Sequence, residues 1–96
     1  MAHYLIEYGE LGNVAARDAL RGDHVAYRKG LGGALALSGP LLGDDDTPIG
    51  SVVILAADDR AAALQLAGDD PYVAGGVLEL VSVRKYRIAA MKPPQV

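Results

Sequence analysis

The sequence predicts a small α+β domain: two helices against one four-stranded antiparallel sheet. Three observations carry the prediction. Four segments are rich in apolar, strand-forming residues, two stretches between them have helical character, and glycine, proline and acidic turns punctuate them in the order β-α-β-β-α-β. That order is the split βαβ or ferredoxin-like arrangement.

The first strand is His3-Tyr4-Leu5-Ile6-Glu7-Tyr8, ended by Gly9. After Gly12-Asn13 the pattern turns helical from Val14 to Leu31, where Leu20, His24, Tyr27 and Leu31 share one face of a 3.6-residue period. Gly22 costs about 1 kcal/mol against alanine inside a helix, so the continuous helix is expected to begin near Arg21. Gly30, Gly32 and Gly33 stop it. A second strand spans Ala34 to Leu42, interrupted near its end by Gly39-Pro40. The acidic segment from Gly43 to Pro48 is a turn, and Gly50 to Ala57 is the third strand. Asp58-Asp59 cap a second helix that Gly68 ends. Asp69-Asp70-Pro71-Tyr72 reads as a loop, because the residue before a proline avoids the helical region. Val77 to Ile88 is the fourth strand. One domain is therefore expected over residues 1–90, with a tail over 91–96.

Composition bounds the function classes. Ninety-six residues hold one core, which buries only about 60–65% of the unfolded surface. With a formal net charge of −3, affinity built on phosphate contacts is not expected, so nucleic acid is excluded as a partner. A cysteine count of zero removes disulfides, thiolate nucleophiles and cysteine-ligated zinc; two histidines leave little for any other metal site. No basic-then-apolar leader opens the chain and no apolar run approaches ~18 residues, so a cytoplasmic domain away from membranes is expected. Neither a metal nor a cofactor is expected.

The strands are apolar on both sides: Val53 and Leu55 alternate with Val52 and Ile54, and Leu78 and Leu80 with Val77, Val81 and Val83. Two-sided apolar strands need cover on both faces, and two helices cover one. A second copy packed sheet to sheet supplies the rest, so a homodimer is expected.

Topology then gathers chemistry at one rim. The first strand runs to the end of the sheet where the first helix begins, the second strand finishes there with Ser38-Gly39-Pro40, and the second helix returns there ahead of Asp70-Pro71-Tyr72. An imidazole at His24, a hydroxyl and a carboxylate thus converge. Louder strings carry less. Gly30-Leu31-Gly32-Gly33 follows a helix instead of a strand and fails as a dinucleotide loop. Asp44-Asp45-Asp46 lacks the spacing and terminal glutamate of a calcium loop.

The pieces Arg21-x-x-His24-x-x-Tyr27, Ser38-Gly39-Pro40, Gly50-Ser51, Asp70-Pro71-Tyr72 and Gly76-Val77 stand in this order over most of the chain. In them the sequence resembles the YCII-related (YciI-like) proteins. The resemblance implies a dimeric α/β barrel of ferredoxin-like subunits, similar in fold to muconolactone isomerase. It also implies a histidine–aspartate pair, here His24 and Asp70, with Ser38, Arg21 and Tyr72 as substrate-binding residues. Gly22 departs from it, standing where a proline starting the helix is implied. Such a pair performs acid–base chemistry on a small organic metabolite without nucleophile, metal or cofactor, an isomerase or lyase type of reaction. A non-catalytic ligand-binding or regulatory domain, or a purely structural dimerisation module, is the alternative. The carboxylate favours imidazolium, while a helix starting near Arg21 would favour neutral imidazole. In a functional pair, Asp70→Asn is expected to preserve the fold; in a buried structural pair the same change is expected to cost several kcal/mol of stability.

Overall fold

A computed structural model of the chain describes residues 1–94. Strand β1 (Ala2–Glu10) leads to helix α1 (Val14–Gly30) and a 3₁₀ turn (Gly32–Ala34), then to β2 (Leu35–Leu42) and β3 (Pro48–Ala57). Helix α2 (Arg60–Gly68), the short helix α3 (Pro71–Ala74) and β4 (Leu78–Tyr86) complete it. The sheet order is β2-β3-β1-β4 and every neighbouring pair is antiparallel. This is the ferredoxin-like α+β fold that the element order predicts.

Capping explains most boundaries. Asn13 accepts a hydrogen bond from the Ala16 amide at 3.1 Å, and Arg28 and Lys29 sit in the last turn of α1, where cations suit the helix dipole. Helix α1 therefore runs unbroken through Gly22, and the expected start near Arg21 is corrected. One glycine is a small loss against a capped helix of 17 residues. Asp59 accepts from the Ala62 amide at 2.8 Å and starts α2.

The expected loop at Asp69–Tyr72 is also corrected. Asp70 is extended, with φ −61° and ψ 127°, as a residue before proline should be. But Pro71 has its φ preset for the first helical position, so α3 begins there, with the Asp70 carboxylate capping the Tyr72 amide at 3.0 Å. Ala34 lies in the 3₁₀ turn, and β2 continues through Gly39-Pro40, which an edge strand tolerates. Strand β4 ends at Tyr86, short of the expected Ile88. Of the expected tail, Gln95 and Val96 lie outside the described residues.

Alternation sorts the side chains of β1 and β3. Tyr4, Ile6, Tyr8, Val53 and Leu55 are buried and form one cluster with Ala63 and Ala67 of α2 and Tyr72 of α3. The opposite face carries Leu5, Val52 and Ile54, half-buried, with Leu37 and Val81 each more than half exposed. Gly50, buried in β3, has no room for a side chain: a Cβ there would stand 2.3 Å from the Tyr8 carbonyl oxygen.

Candidate functional site

Helix α1 has no fully buried residue, so few apolar contacts hold it. Ala16 and Leu20 pack against the core, and polar bonds to distant segments add to them. Tyr27 donates its hydroxyl proton to the Leu66 carbonyl at 2.6 Å, and the Tyr72 hydroxyl reaches the Arg17 carbonyl at 3.4 Å. Between α1 and the β2–β3 side of the sheet lies a cleft of about 440 Å³. His24, Arg17 and Arg28 line it from the helix, Ser38 and Pro40 from β2, Ser51 from β3, Tyr72 from α3 and Leu78 from β4.

Asp70 forms the floor of this arrangement. Its side chain is 0% exposed and takes three donors. Oδ1 lies 2.8 Å from His24 Nδ1 and accepts from the Tyr72 amide, while Oδ2 lies 3.0 Å from the same Nδ1 and accepts from Arg28 Nε at 2.8 Å. Burying a carboxylate is costly unless it is paired and hydrogen-bonded, and here it is both. With Nδ1 against Asp70, the ring's Nε2 has no partner among the described residues. The His24 side chain is 19% exposed, so Nε2 is the nitrogen offered to the cleft. Tyr72 fixes the ring plane, stacking on the imidazole with centroids 3.8 Å apart and planes 5° from parallel.

Two tyrosines brace the site. The Tyr8 hydroxyl donates to the Ala67 carbonyl at 3.0 Å, and the Arg28 guanidinium carbon lies 5.4 Å from its ring centroid. Burial pushes the Tyr8 phenol up to about 12 despite that cation. Burial, and then the Asp69 and Asp70 charges, raise the Tyr27 phenol as well.

Of the residues the sequence singles out, the structure brings His24, Asp70, Ser38 and Tyr72 together. Arg21 it does not: the residue is exposed and outside the cleft lining. In its place stand Arg17 and Arg28, which sequence reasoning missed. On an ideal helix Arg17 and Arg28 lie roughly 20° and 40° around the axis from His24, and Arg21 roughly 60°. Helical spacing carries the signal for both, but a helix starting at Arg21 leaves Arg17 outside it. Since α1 begins at Val14, His24 lies in its third turn, beyond the reach of the N-terminal dipole. The expected helix-end influence on His24 is therefore withdrawn. Among the described residues no cluster of three or more His, Asp or Glu is placed to hold a metal ion, and no helix is long and apolar enough to cross a membrane.

The chain belongs to the YCII-related family, whose domain matches residues 1–87. No curated protein matches it. Among solved structures it is similar to the 5-chloro-2-hydroxyhydroquinone dehydrochlorinase TftG from Burkholderia phenoliruptrix AC1100, in complex with 2,5-dihydroxybenzoquinone. The TM-score is 0.68 at 22% identity, over 92% of this chain and 93% of that one, a likeness of fold.

Proposed function

We propose that this member of the YCII-related family is a cofactor-independent, cytoplasmic small-molecule enzyme that moves a proton on an organic substrate, in an isomerase or lyase type of reaction. The observation that carries the reading is the bond from His24 Nδ1 to buried Asp70, which leaves Nε2 to an open cleft. Asp70 holds the ring orientation and the tautomer; His24 takes or returns the proton. Tyr72 keeps the imidazole in one plane. Ser38, exposed at the cleft wall, offers a hydroxyl to a substrate oxygen. Arg21, the other substrate-binding residue implied by resemblance, has no part in it.

The enzyme acts as a homodimer. The apolar sheet face opposite the helices, with Leu5, Val52 and Ile54 at its middle, supports sheet-to-sheet pairing into an α/β barrel.

The dehydrochlorinase of like fold binds 2,5-dihydroxybenzoquinone, which makes that compound a reasonable probe. Its exchange of carbon-bound hydrogen for deuterium in D₂O, followed by NMR, reports proton abstraction without requiring the native substrate. Exchange above the buffer rate is expected, falling about 100-fold or more in His24→Gln. Binding without exchange points to the non-catalytic ligand-binding domain, and neither binding nor exchange to a structural module.

A further inference from the structure

Around His24 the arginines of the cleft are both paired with carboxylates. From the α3 side stand Asp70 and the neutral Tyr72; from α1 itself stand Arg17, Tyr27 and Arg28. Arg17 is paired with Glu10 of β1, and Arg28 with Asp70. Tyr8 of β1 lies under Arg28, and exposed Asp69 is held by Gln65 at 2.9 Å. Strands β2 and β3 line the cleft with Ser38, Ser51, glycine and proline, and no charge.

A carboxylate facing a histidine alone stabilises imidazolium, because the pair is then neutral. Asp70 is not in that position. Its second oxygen accepts from a guanidinium that does not lose its proton in a protein. The Asp70–Arg28 pair is therefore already neutral, and a proton added to His24 would leave a net charge in a largely buried trio. Packing stability alone is a poor account of Arg28. It makes one hydrogen bond to Asp70 through Nε, while one terminal nitrogen, Nη2, is buried with no partner, a costly arrangement.

We propose that Arg28 is a positioning residue that acts through Asp70. By neutralising the carboxylate through Oδ2, an oxygen that also lies 3.0 Å from Nδ1, it keeps His24 neutral, with its proton on Nδ1 toward the carboxylate, so that Nε2 meets the substrate as a base. This rests on the proton-transfer reading of the site and narrows its substrate class to molecules presenting an acidic C–H or O–H to that nitrogen. The abstracted proton passes to Nε2, leaving the electron pair on the substrate as an enolate or phenolate. The trio then carries one positive charge beside that anion and returns to neutrality when the proton is given back.

The test is ¹⁵N NMR of the histidine ring in the full chain, without ligand, at fixed pH just above neutrality. In the parent, the His24 proton is expected on Nδ1 with Nε2 bare. In Arg28→Gln the imidazolium-to-imidazole ratio is expected to rise about tenfold, as an unshared carboxylate takes hold of the ring. In Arg28→Lys, which keeps the charge, it stays within about twofold of the parent. A parent ring protonated on Nε2, an unchanged or lower ratio in Arg28→Gln, or a tenfold departure in Arg28→Lys overturns the proposal. Should Arg28→Gln not fold, the parent tautomer and the lysine variant still decide. No readout needs a substrate. A parent that passes these tests yet exchanges no hydrogen on 2,5-dihydroxybenzoquinone supports the role of Arg28 and counts against the enzymatic reading.

Discussion

Replacing Asp70 by asparagine removes a charge that three donors share, and the structure fixes what the amide can do. If the Asn oxygen takes the Oδ1 position, it satisfies His24 Nδ1 and the Tyr72 amide. Its NH₂ then faces Arg28 Nε, donor against donor, and a largely buried guanidinium loses its counter-charge. If it flips, Arg28 keeps an acceptor, but the Tyr72 amide loses the cap of α3. Neither orientation serves all three. Breaking a buried charge pair by neutralising one partner costs about 3–5 kcal/mol. For a domain of this size 1 kcal/mol shifts the melting temperature by ~4–8 °C, so a drop of at least ~12 °C is expected. Circular dichroism melting of Asp70→Asn beside Asn13→Ala, an exposed cap worth about 1 kcal/mol, measures it against an internal scale. This reverses the expectation drawn from sequence, that Asp70→Asn preserves the fold. A variant melting within ~3 °C of the parent would show that the trio contributes little to stability and that Arg28 does not depend on Asp70 for its counter-charge.

Tyr8 gives stability an alkaline limit. The unfolded chain loses this proton near its ordinary value of 10 and the folded one only near 12, so the native state holds an extra proton across that window and stability falls as pH rises through it. About 2–3 kcal/mol is lost by its upper end; urea midpoints from pH 9 to 11 should show the slope, and Tyr8→Phe should flatten it. Gly50→Ala forces a Cβ against the Tyr8 carbonyl and should destabilise by about 1–3 kcal/mol in urea, whereas Gly39→Ala, with open space around its Cβ, should cost less. Tyr27→Phe deletes the hydrogen bond to Leu66 and should cost about 1 kcal/mol, with faster amide exchange in α1. Sedimentation at micromolar concentration should give twice the chain mass. Ile54→Asp, between Leu5 and Leu37 on the open face, should halve it; a parent already sedimenting at one chain mass refutes the dimer.

The elements were legible because what makes them is local. The alternation through Tyr4, Ile6 and Tyr8, the aspartate before α2 and the glycines after α1 are all read within a few residues, and their order admitted one simple sheet. The errors were local too. Gly22 reads as a helix breaker only when the Asn13 cap upstream is left out, and Pro71 as a loop signal only when its own aptitude for starting α3 is left out. His24 and Asp70 were legible as a pair only through strand order and family resemblance.

The partners of Asp70 were decided by the tertiary structure. Its carboxylate meets Arg28 across 42 residues of sequence and His24 across 46, and no periodicity spans such a gap. Helical spacing placed several arginines near His24, but which of them enter the cleft depends on how α1 lies over the sheet. That angle is set by bonds such as Tyr27 to Leu66 and by the approach of Leu20 to Gly75. By itself the sequence determined which segments become strands and helices and which residues could carry chemistry, because backbone periodicity and capping are short-range. Which charge stands beside which was left to the packed chain, since the Coulomb energy that couples Arg28, Asp70 and His24 depends on distances and burial that exist only once α1 and α3 are docked.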